Sequence, residues 1–187
     1  TYTTSDFTFN GNPEAKGTAA GTYKMNLSST QFSNKNTNFT KVRFIVTDGE
    51  LTITPKSIDL NGPNTPEDKK TGIEVTKPAD SKYNGEKHEN KPTVTDTKTK
   101  ATLEENKDYT LSYSDDVVNV GTVTVTIKGI GNYTGEFTKT YEITPREYTV
   151  TTDGAEKVYD GNPLTAGGTV NNLVDGETVN LTMTGSQ

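Results

Sequence analysis

The sequence contains no cysteine, no tryptophan and a single histidine among its 187 residues. Without cysteine the chain cannot form disulfides, and metal or redox sites built on thiolates are excluded. Hydrophobic residues make up only 28% of the sequence, and no apolar run approaches the roughly 20 residues of a membrane-spanning helix. We therefore expect no membrane span, and no motif in the sequence indicates a cofactor.

A strong charge of one sign is also missing. The 19 basic and 25 acidic residues are interspersed and give a net charge of −6. Nucleic-acid binding requires a basic surface that displaces counterions from phosphates, so we expect no nucleic-acid partner. Disorder by composition requires high net charge together with low hydrophobicity. Because the charge is small and the apolar residues recur at every second position, the sequence predicts a folded chain.

The clearest pattern is a β-hairpin between Gly121 and Pro145. In GTVTVTIKG, residues 121 to 129, three β-branched residues alternate with polar ones, which is typical of a half-buried strand. A glycine-rich turn from Gly129 to Gly135 follows, and then Phe137, Tyr141 and Ile143 resume the alternation, interrupted by Lys139. Proline has no N–H to donate to a sheet, so the second strand is predicted to end at Pro145.

The end of this hairpin has a counterpart earlier in the chain. Ile53-Thr54-Pro55-Lys56 is repeated as Ile143-Thr144-Pro145-Arg146, 90 residues later, and each follows an alternating segment. A fixed period is the sequence signature of tandem units. We therefore predict three sections, residues 1–55, 56–145 and 146–187, of which only the central section has both ends.

Short alternating segments and turn signals predict an all-β chain with essentially no helix. Further strands are expected at Ile73 and Val75, at Val94, at Tyr109 to Tyr113, and at Val179, Leu181 and Met183. Many short strands favour tandem small Ig-like β-sandwiches, with β-grasp-like units as the alternative. Asp48-Gly49 predicts a tight hairpin in which Val46 lies opposite Leu51. The Pro- and Asn-rich insertion NGPNTPEDKK, residues 61–70, is expected to be exposed.

Three stretches carry a resemblance to a known family. These stretches are DYTLSYSDDVVNVGTVTVTIKGIGNYTGEFTKTYEITP (108–145), KVYDGNPLT (157–165), and AGTYKMNL (20–27) together with VTDGELTITP (46–55). They resemble the tandem MBG and MBG-like, YDG-containing, Ig-like repeats of Gram-positive gut bacterial surface proteins. The resemblance implies a multidomain adhesin or exoprotein that is extracellular and associated with the cell wall. It implies no catalytic residues.

The resemblance also implies that residues 1–55 are the later part of one repeat and residues 146–187 the earlier part of another. Partial sheets leave strand edges and one apolar face unpaired, which favours pairing with another strand. We expect the two terminal sections to complement each other, either between molecules or within one. The alternative is that each terminal section forms a small sheet on its own, without a partner section.

Adjacent carboxylates occur at Glu104-Glu105 and Asp115-Asp116. Neighbours in a strand point to opposite faces, whereas acid/base catalysis needs two groups that converge on one bond, so solvated charges are favoured. Asp115 and Asp116 with a loop carbonyl are a candidate calcium site, because calcium accepts oxygen ligands in flexible geometry. His88 has no second histidine or cysteine at ligand spacing, and we expect it to be exposed.

The tyrosines fall into two groups. Tyr109, Tyr113 and Tyr141 alternate with polar residues and are predicted to be core. A second set lies in turns and could stack on sugars, or instead anchor those turns by packing: Tyr83, Tyr133 and Tyr159. Lys139 on its apolar face is interpreted as an edge gatekeeper, or as a partner for Asn119 in an isopeptide bond, which would lower the intact mass by one ammonia.

These patterns favour a non-enzymatic spacer whose partners are neighbouring repeats of the same chain and, through the whole protein, host glycans or matrix proteins. The alternative is a carbohydrate-binding module that uses turn tyrosines to bind host mucin glycans. An enzyme ranks last, because no nucleophile–base pair, metal-ligand set or phosphate loop is present in the sequence.

Overall fold

The chain is all-β in the computed structural model, which describes residues 1–59 and 70–182. Within these ranges the only helical segments are single 3-10 turns at Thr4–Asp6 and Ser29–Gln31. The predicted fold class is therefore confirmed. The strands are β1 (Phe7–Phe9), β2 (Gly21–Lys24), β3 (Phe32–Asn34), β4 (Glu50–Ile53), β5 (Lys56–Ser57), β6 (Ile73–Val75), β7 (Ser81–Lys82), β8 (Val94–Asp96), β9 (Ala101–Thr102), β10 (Tyr109–Tyr113), β11 (Gly121–Gly129), β12 (Tyr133–Thr134), β13 (Glu136–Thr144), β14 (Thr149–Thr152) and β15 (Gly168–Asn171).

Several small sheets form, as expected when many short strands are separated by turns. The largest has four strands in the order β10-β11-β13-β7, and β6-β8-β9 form a sheet of three. The remaining sheets are the two-stranded pairs β1-β3, β2-β4, β5-β12 and β14-β15. The strands of each terminal section pair within that section, whereas the central section holds the larger sheets.

The predicted central hairpin is present as β11 and β13, which are neighbours in the four-stranded sheet. Val123, Val125 and Ile127 are almost completely buried, and the residues between them are more exposed. On β13 the buried residues are Tyr141 and Ile143. β13 ends at Thr144, immediately before Pro145, as expected for a residue that cannot donate to the ladder. Alternation and the proline stop therefore predicted this hairpin correctly.

The hairpin's glycine-rich turn contains a strand that the sequence pattern did not reveal. β12 pairs in parallel with β5, and Tyr133 lies opposite Lys56. Gly129 N–H donates to Gly135 O, and a Cβ atom on Gly129 would lie 2.7 Å from the backbone nitrogen of Thr134. Glycine is therefore required at position 129 by the close approach of the chain to itself.

The prediction of a tight hairpin at Asp48-Gly49 is wrong. β4 pairs with β2, so that Leu51 lies opposite Tyr23, and residues 41–49 contain no strand. The Asp48 carboxylate instead accepts hydrogen bonds from the backbone N–H groups of Asn26 and Leu27. An aspartate side chain that bonds a distant backbone competes with the local turn expected of Asp-Gly.

The C-terminal section is an antiparallel ribbon of β14 and β15, with Val150 opposite Val170. Residues 178–182 form no strand, so the predicted final strand is wrong for Val179 and Leu181, while Met183 lies outside the described residues. Of the predicted exposed insertion, residues 61–69 also lie outside them. Among the described residues the ribbon therefore consists of β14 and β15 alone.

Backbone contacts divide the chain into two units whose segments alternate along the sequence. The first consists of residues 1–74, 94–111 and 127–137, and the second of residues 75–93, 112–126 and 138–187. Within the first, buried side chains include Ile58, Ile73, Val94, Leu103 and Ile127. Within the second, Val117, Val123, Tyr141 and Ile143 form one cluster, against which Tyr83 and Tyr113 pack. The three sequence sections stay a prediction.

Some of the repeated sequence motifs also have similar local backbone conformations. β4 and β13 end at or next to the two Ile-Thr-Pro motifs. β2 and β11 begin with Gly21 and Gly121, whose φ angles are 152° and 155°. In the turns, Gly85 after Tyr83-Asn84 and Gly161 after Tyr159-Asp160 both have φ of 80°, a left-handed conformation that favours glycine. These matches are confined to the strand ends, the first glycines of two strands and the two turns, and the division into repeats stays a prediction.

Candidate interaction site

The buried Tyr141 and the partly buried Tyr113 hold the segment from His88 to Asn90. The Tyr141 hydroxyl donates to His88 O and accepts from Asn90 N–H, and burial raises the pKa of Tyr141. The Tyr113 hydroxyl contacts the carbonyl oxygens of Glu89 and Asn90 at 3.3 Å. His88 is half-buried, not exposed as expected, and its Nε2 is buried without a hydrogen-bond partner among the described residues. The local sequence does not indicate this burial, since Lys87 and Glu89 on either side of His88 are charged.

Tyr83 is part of a hydrogen-bonded clasp around Glu177. The Tyr83 hydroxyl donates to Glu177 Oε1 at 3.0 Å, and the Tyr148 hydroxyl donates to Oε2 at 2.7 Å. The hydrogen bond from Tyr148, aided by Val174 N–H, lowers the pKa of Glu177, and the bond to Glu177 raises the pKa of both tyrosines. A Cβ atom on Gly85 would lie 2.6 Å from Val174. The turn at Tyr83 therefore anchors the C-terminal segment by close packing.

Tyr133 lies beside a buried ion pair. Lys56 Nζ is 2.6 Å from Asp96 Oδ2, and Asp96 Oδ1 accepts backbone N–H bonds from Lys98 and Thr99 at 3.0 and 3.3 Å. Burial, the charges of Asp96 and Asp108, and a hydrogen bond with Asp96 raise the pKa of Tyr133. Tyr133 is half-buried and hydrogen-bonded to Asp96. These contacts correspond to the turn-packing role, which is the alternative to sugar stacking.

Tyr159 differs from the other two turn tyrosines, because 93% of its surface is exposed, with Val158 at 90%. The turn that carries it is fixed by Lys157, whose Nζ donates to Asp160 Oδ1 and to Asn162 O, both at 2.6 Å. The bond from Lys157 lowers the pKa of Asp160. The chain therefore presents an aromatic ring on an ordered turn.

Asp115 and Asp116 line an open cleft of about 520 Å³ in the second unit, together with Lys87, Glu89 and Tyr113 to Asn119. The Asp116 carboxylate accepts from the N–H groups of Val118 and Asn119 and from Asn119 Nδ2, and the backbone bond from Asn119 is the main cause of its lowered pKa. Within residues 1–59 and 70–182 no group of three or more acidic or histidine side chains could hold a metal ion. Asp116 thus caps a turn, and the calcium site stays a prediction.

The other sequence candidates have local roles. Glu104 Oε1 pairs with Lys107 at 3.0 Å on the surface, which agrees with a solvated charge. Asn119 donates its side-chain amide to Asp116, and Lys139 is half-buried on β13. An isopeptide bond between Lys139 and Asn119 stays a prediction that an intact mass can test.

The candidate residues do not converge on one site. The described contacts of Tyr133 lie in the first unit. Tyr83 and Tyr159 both belong to the second unit, but these two tyrosines share no described contact. Sequence reasoning missed Lys56, Asp96 and Glu177, which hold the turns in place. In the sequence, Lys56 and Asp96 each lie on or beside a short predicted strand. That position does not indicate that two residues 40 positions apart form an ion pair.

No family model, no curated protein and no solved structure matches this chain. The described residues contain no helix long and apolar enough to cross a membrane. The described residues thus form an all-β chain, in which Tyr159 is an exposed aromatic residue on a turn that Lys157 holds.

Proposed function

We propose that this chain is a non-enzymatic spacer and interaction repeat of a secreted, cell-wall-associated bacterial adhesin. The observation that carries the proposal is the repeated local structure: two strands that stop at Ile-Thr-Pro, and two Tyr-Asn/Asp-Gly turns with the same glycine conformation. Units that recur along a chain, each contacting its neighbours, are typical of proteins that hold a binding domain at a distance. We also propose that the repeating unit is an Ig-like module.

The central section is well suited to bear tension. β13 runs nine residues to Pro145 and lies between β11 and β7 in the sheet. Inter-strand hydrogen bonds lie roughly perpendicular to the strands. Force applied along β13 therefore loads several bonds together instead of opening them one at a time.

Single-molecule force spectroscopy tests the spacer role. Pulling on both chain ends should give an unfolding peak with a contour-length gain of roughly 30 nm, because the 90 residues between the two prolines extend by about 3.5 Å each. Thr140→Pro should lower the peak force, since it removes a ladder N–H from the middle of β13. Thr165→Pro, at an exposed position outside the strands, serves as the matched control. Smooth extension without a peak contradicts the proposal.

Secretion and wall attachment are tested on the coding sequence of the whole protein. We expect a secretion signal before this chain and a wall-sorting segment after it. An uninterrupted coding sequence without either one contradicts the proposed location and leaves the spacer mechanics unaffected.

A second candidate function is binding of host mucin glycans, which is favoured by the exposed ring of Tyr159. Aromatic faces are common platforms for ligands with apolar surfaces. Tyrosine fluorescence should change on addition of mucin glycans, and Tyr159→Ala should abolish the change. Tyr83→Ala and Tyr133→Ala serve as controls, because both side chains are already hydrogen-bonded. An unchanged signal with the unmodified chain rules out this function for Tyr159.

A further inference from the structure

The turn after β7 contains the pair Asn84-Gly85. Asparagine is chemically labile, and a following glycine has no side chain to hinder attack of its backbone nitrogen on the asparagine amide. The Asn84 Oδ1 atom accepts a hydrogen bond from Glu86 N–H at 2.9 Å, an arrangement called an Asx turn. The backbone therefore already holds one atom of the labile amide.

The other atoms that such a reaction needs are unengaged. Within the part of the chain that the structure describes, neither Asn84 Nδ2 nor Gly85 N–H has a hydrogen-bond partner. Gly85 is also exposed to water. Hydroxide can therefore reach and deprotonate the Gly85 nitrogen, and the Asn84 amide nitrogen can leave without breaking a contact within the protein.

We infer that Asn84 is a site of spontaneous deamidation, promoted by the turn that holds it. The Gly85 nitrogen loses its proton to hydroxide and attacks Asn84 Cγ, which closes a ring and places a negative charge on Oδ1. The bond between Cγ and Nδ2 then breaks, and the nitrogen takes a proton from water and leaves as ammonia. Water opens the resulting succinimide at one of its two carbonyl groups and gives aspartate or isoaspartate.

Glu86 N–H is placed to favour the ring closure. It donates to the oxygen that becomes negative, at 2.9 Å, and a donor at about 2.7–3.1 Å from such an oxygen stabilises the transition state of acyl transfer. One donor of this kind contributes roughly 10²–10³-fold in rate within an enzyme site that excludes water. Because Asn84 is only half-buried, we expect a smaller acceleration, of about tenfold.

A second turn in the chain contains the direct product of this reaction. Tyr159-Asp160-Gly161 has aspartate at the position that corresponds to Asn84. Asp160 Oδ1 accepts from Asn162 N–H at 3.0 Å, and Gly161 has the same φ of 80° as Gly85. Aspartate therefore fits this kind of turn, and conversion of Asn84 to aspartate keeps the turn while adding one negative charge.

The isoaspartate product does not fit, because it adds a methylene group to the main chain between Tyr83 and Gly85. Tyr83 is fixed on one side of this insertion by its N–H bond to Thr144 O at 2.9 Å and by its hydroxyl bond to Glu177. On the other side, a Cβ atom on Gly85 would already lie 2.6 Å from Val174. The insertion therefore loosens the clasp around Glu177. The reaction needs only the turn itself, so it does not depend on the proposed spacer role.

Ageing of the whole chain at neutral and mildly alkaline pH, followed by trypsin digestion, tests the site. Cleavage after lysine places Asn84 in residues 83–87 and the matched control Asn10, in Phe-Asn-Gly, in residues 1–16. Asn10 Oδ1 accepts no hydrogen bond from the described residues. Mass spectrometry follows the loss of one ammonia and the gain of one water. In the folded chain Asn84 should react about tenfold faster than Asn10, and in urea the two rates should become similar, since neither amide is then held.

Two variants at the exposed Glu86 identify the donor. Glu86→Pro removes the N–H group and should slow the reaction of Asn84 about tenfold, whereas Glu86→Ala keeps the N–H group and should leave the rate unchanged. Asn84 that stays intact while Asn10 reacts overturns the proposal, as does a ratio of the two rates that urea leaves unchanged. Equal rates in the two folded Glu86 variants also overturn it. If Glu86→Pro does not fold, the comparison of the folded chain with the chain in urea decides.

Hydrogen exchange measures the effect on the clasp. Glu177 N–H donates to Val174 O at 3.0 Å, and its exchange should be faster in the isoaspartate form than in the unmodified chain. Asn84→Asp, which carries the product that fits the turn, should exchange like the unmodified chain. Unchanged exchange at Glu177 in the isoaspartate form overturns the loosening of the clasp. All of these outcomes leave the force-extension test of the spacer role unaffected.

Discussion

Replacing Lys56 with methionine should lower the free energy of unfolding by about 3 kcal/mol. Asp96 is 1% exposed, and removing its cation leaves a buried carboxylate without a countercharge, which typically costs about 3–5 kcal/mol. The lower end is expected because 28% of the Lys56 side chain is accessible to water. Urea denaturation at pH 7 measures the change. Lys107→Met is the matched control: its pair with Glu104 is 65% exposed on both sides, and exposed pairs contribute about 1 kcal/mol or less.

The same pair makes stability depend on pH in a defined direction. Burial raises the pKa of Asp96, but the hydrogen bonds from Lys56 and from the backbone N–H groups outweigh it, and the net pKa is lowered. In the unfolded chain an aspartate titrates near about 3.9. Ionised Asp96 therefore stabilises the fold above that pH, and its contribution is lost as the pH falls through the lower folded-state pKa. The difference between the unmodified chain and Lys56→Met should shrink as the pH falls, because Asp96 is protonated first in the variant, where Lys56 no longer lowers its pKa. A difference that grows in acid contradicts this account.

Ile143→Ala should destabilise the chain by about 2–5 kcal/mol, the usual cost of removing a large aliphatic side chain from a packed core. Ile143 is 1% exposed and lies in the cluster with Val123 and Tyr141. The repeat offers a matched control in Ile53→Ala, which is equivalent by the 90-residue spacing but only half-buried. In dilute protein this control should cost about 1 kcal/mol, because less apolar surface is removed from water on folding. Urea midpoints at low micromolar concentration compare the two. Equal losses would show that the two strands are packed alike.

The sequence allowed the central hairpin to be predicted because its signals are local and agree with one another. Val123, Val125 and Ile127 alternate with polar residues, and Pro145 ends the second strand. At Asp48-Gly49 the local signal failed, because the Asp48 carboxylate bonds the backbone at Asn26 and Leu27. That competition depends on residues more than 20 positions away, which a two-residue turn motif does not include.

The candidate site shows the same limit. Three turn tyrosines look equivalent in sequence, but Tyr83 bonds Glu177, 94 positions away, and Tyr133 neighbours the Lys56–Asp96 pair. Their roles are decided by long-range partners that no local pattern specifies. Tyr159 is distinguished only by what it does not contact in the described residues, a property that spacing along the chain cannot reveal.

The placement of the two Ile-Thr-Pro stops has a consequence for how such a chain could change in length. Both stops lie at the end of a strand. A block of 90 residues added or removed between them would leave the same Ile-Thr-Pro motif on either side. Gene duplication or deletion could therefore adjust the reach of the molecule in whole steps, without requiring a new contact to evolve.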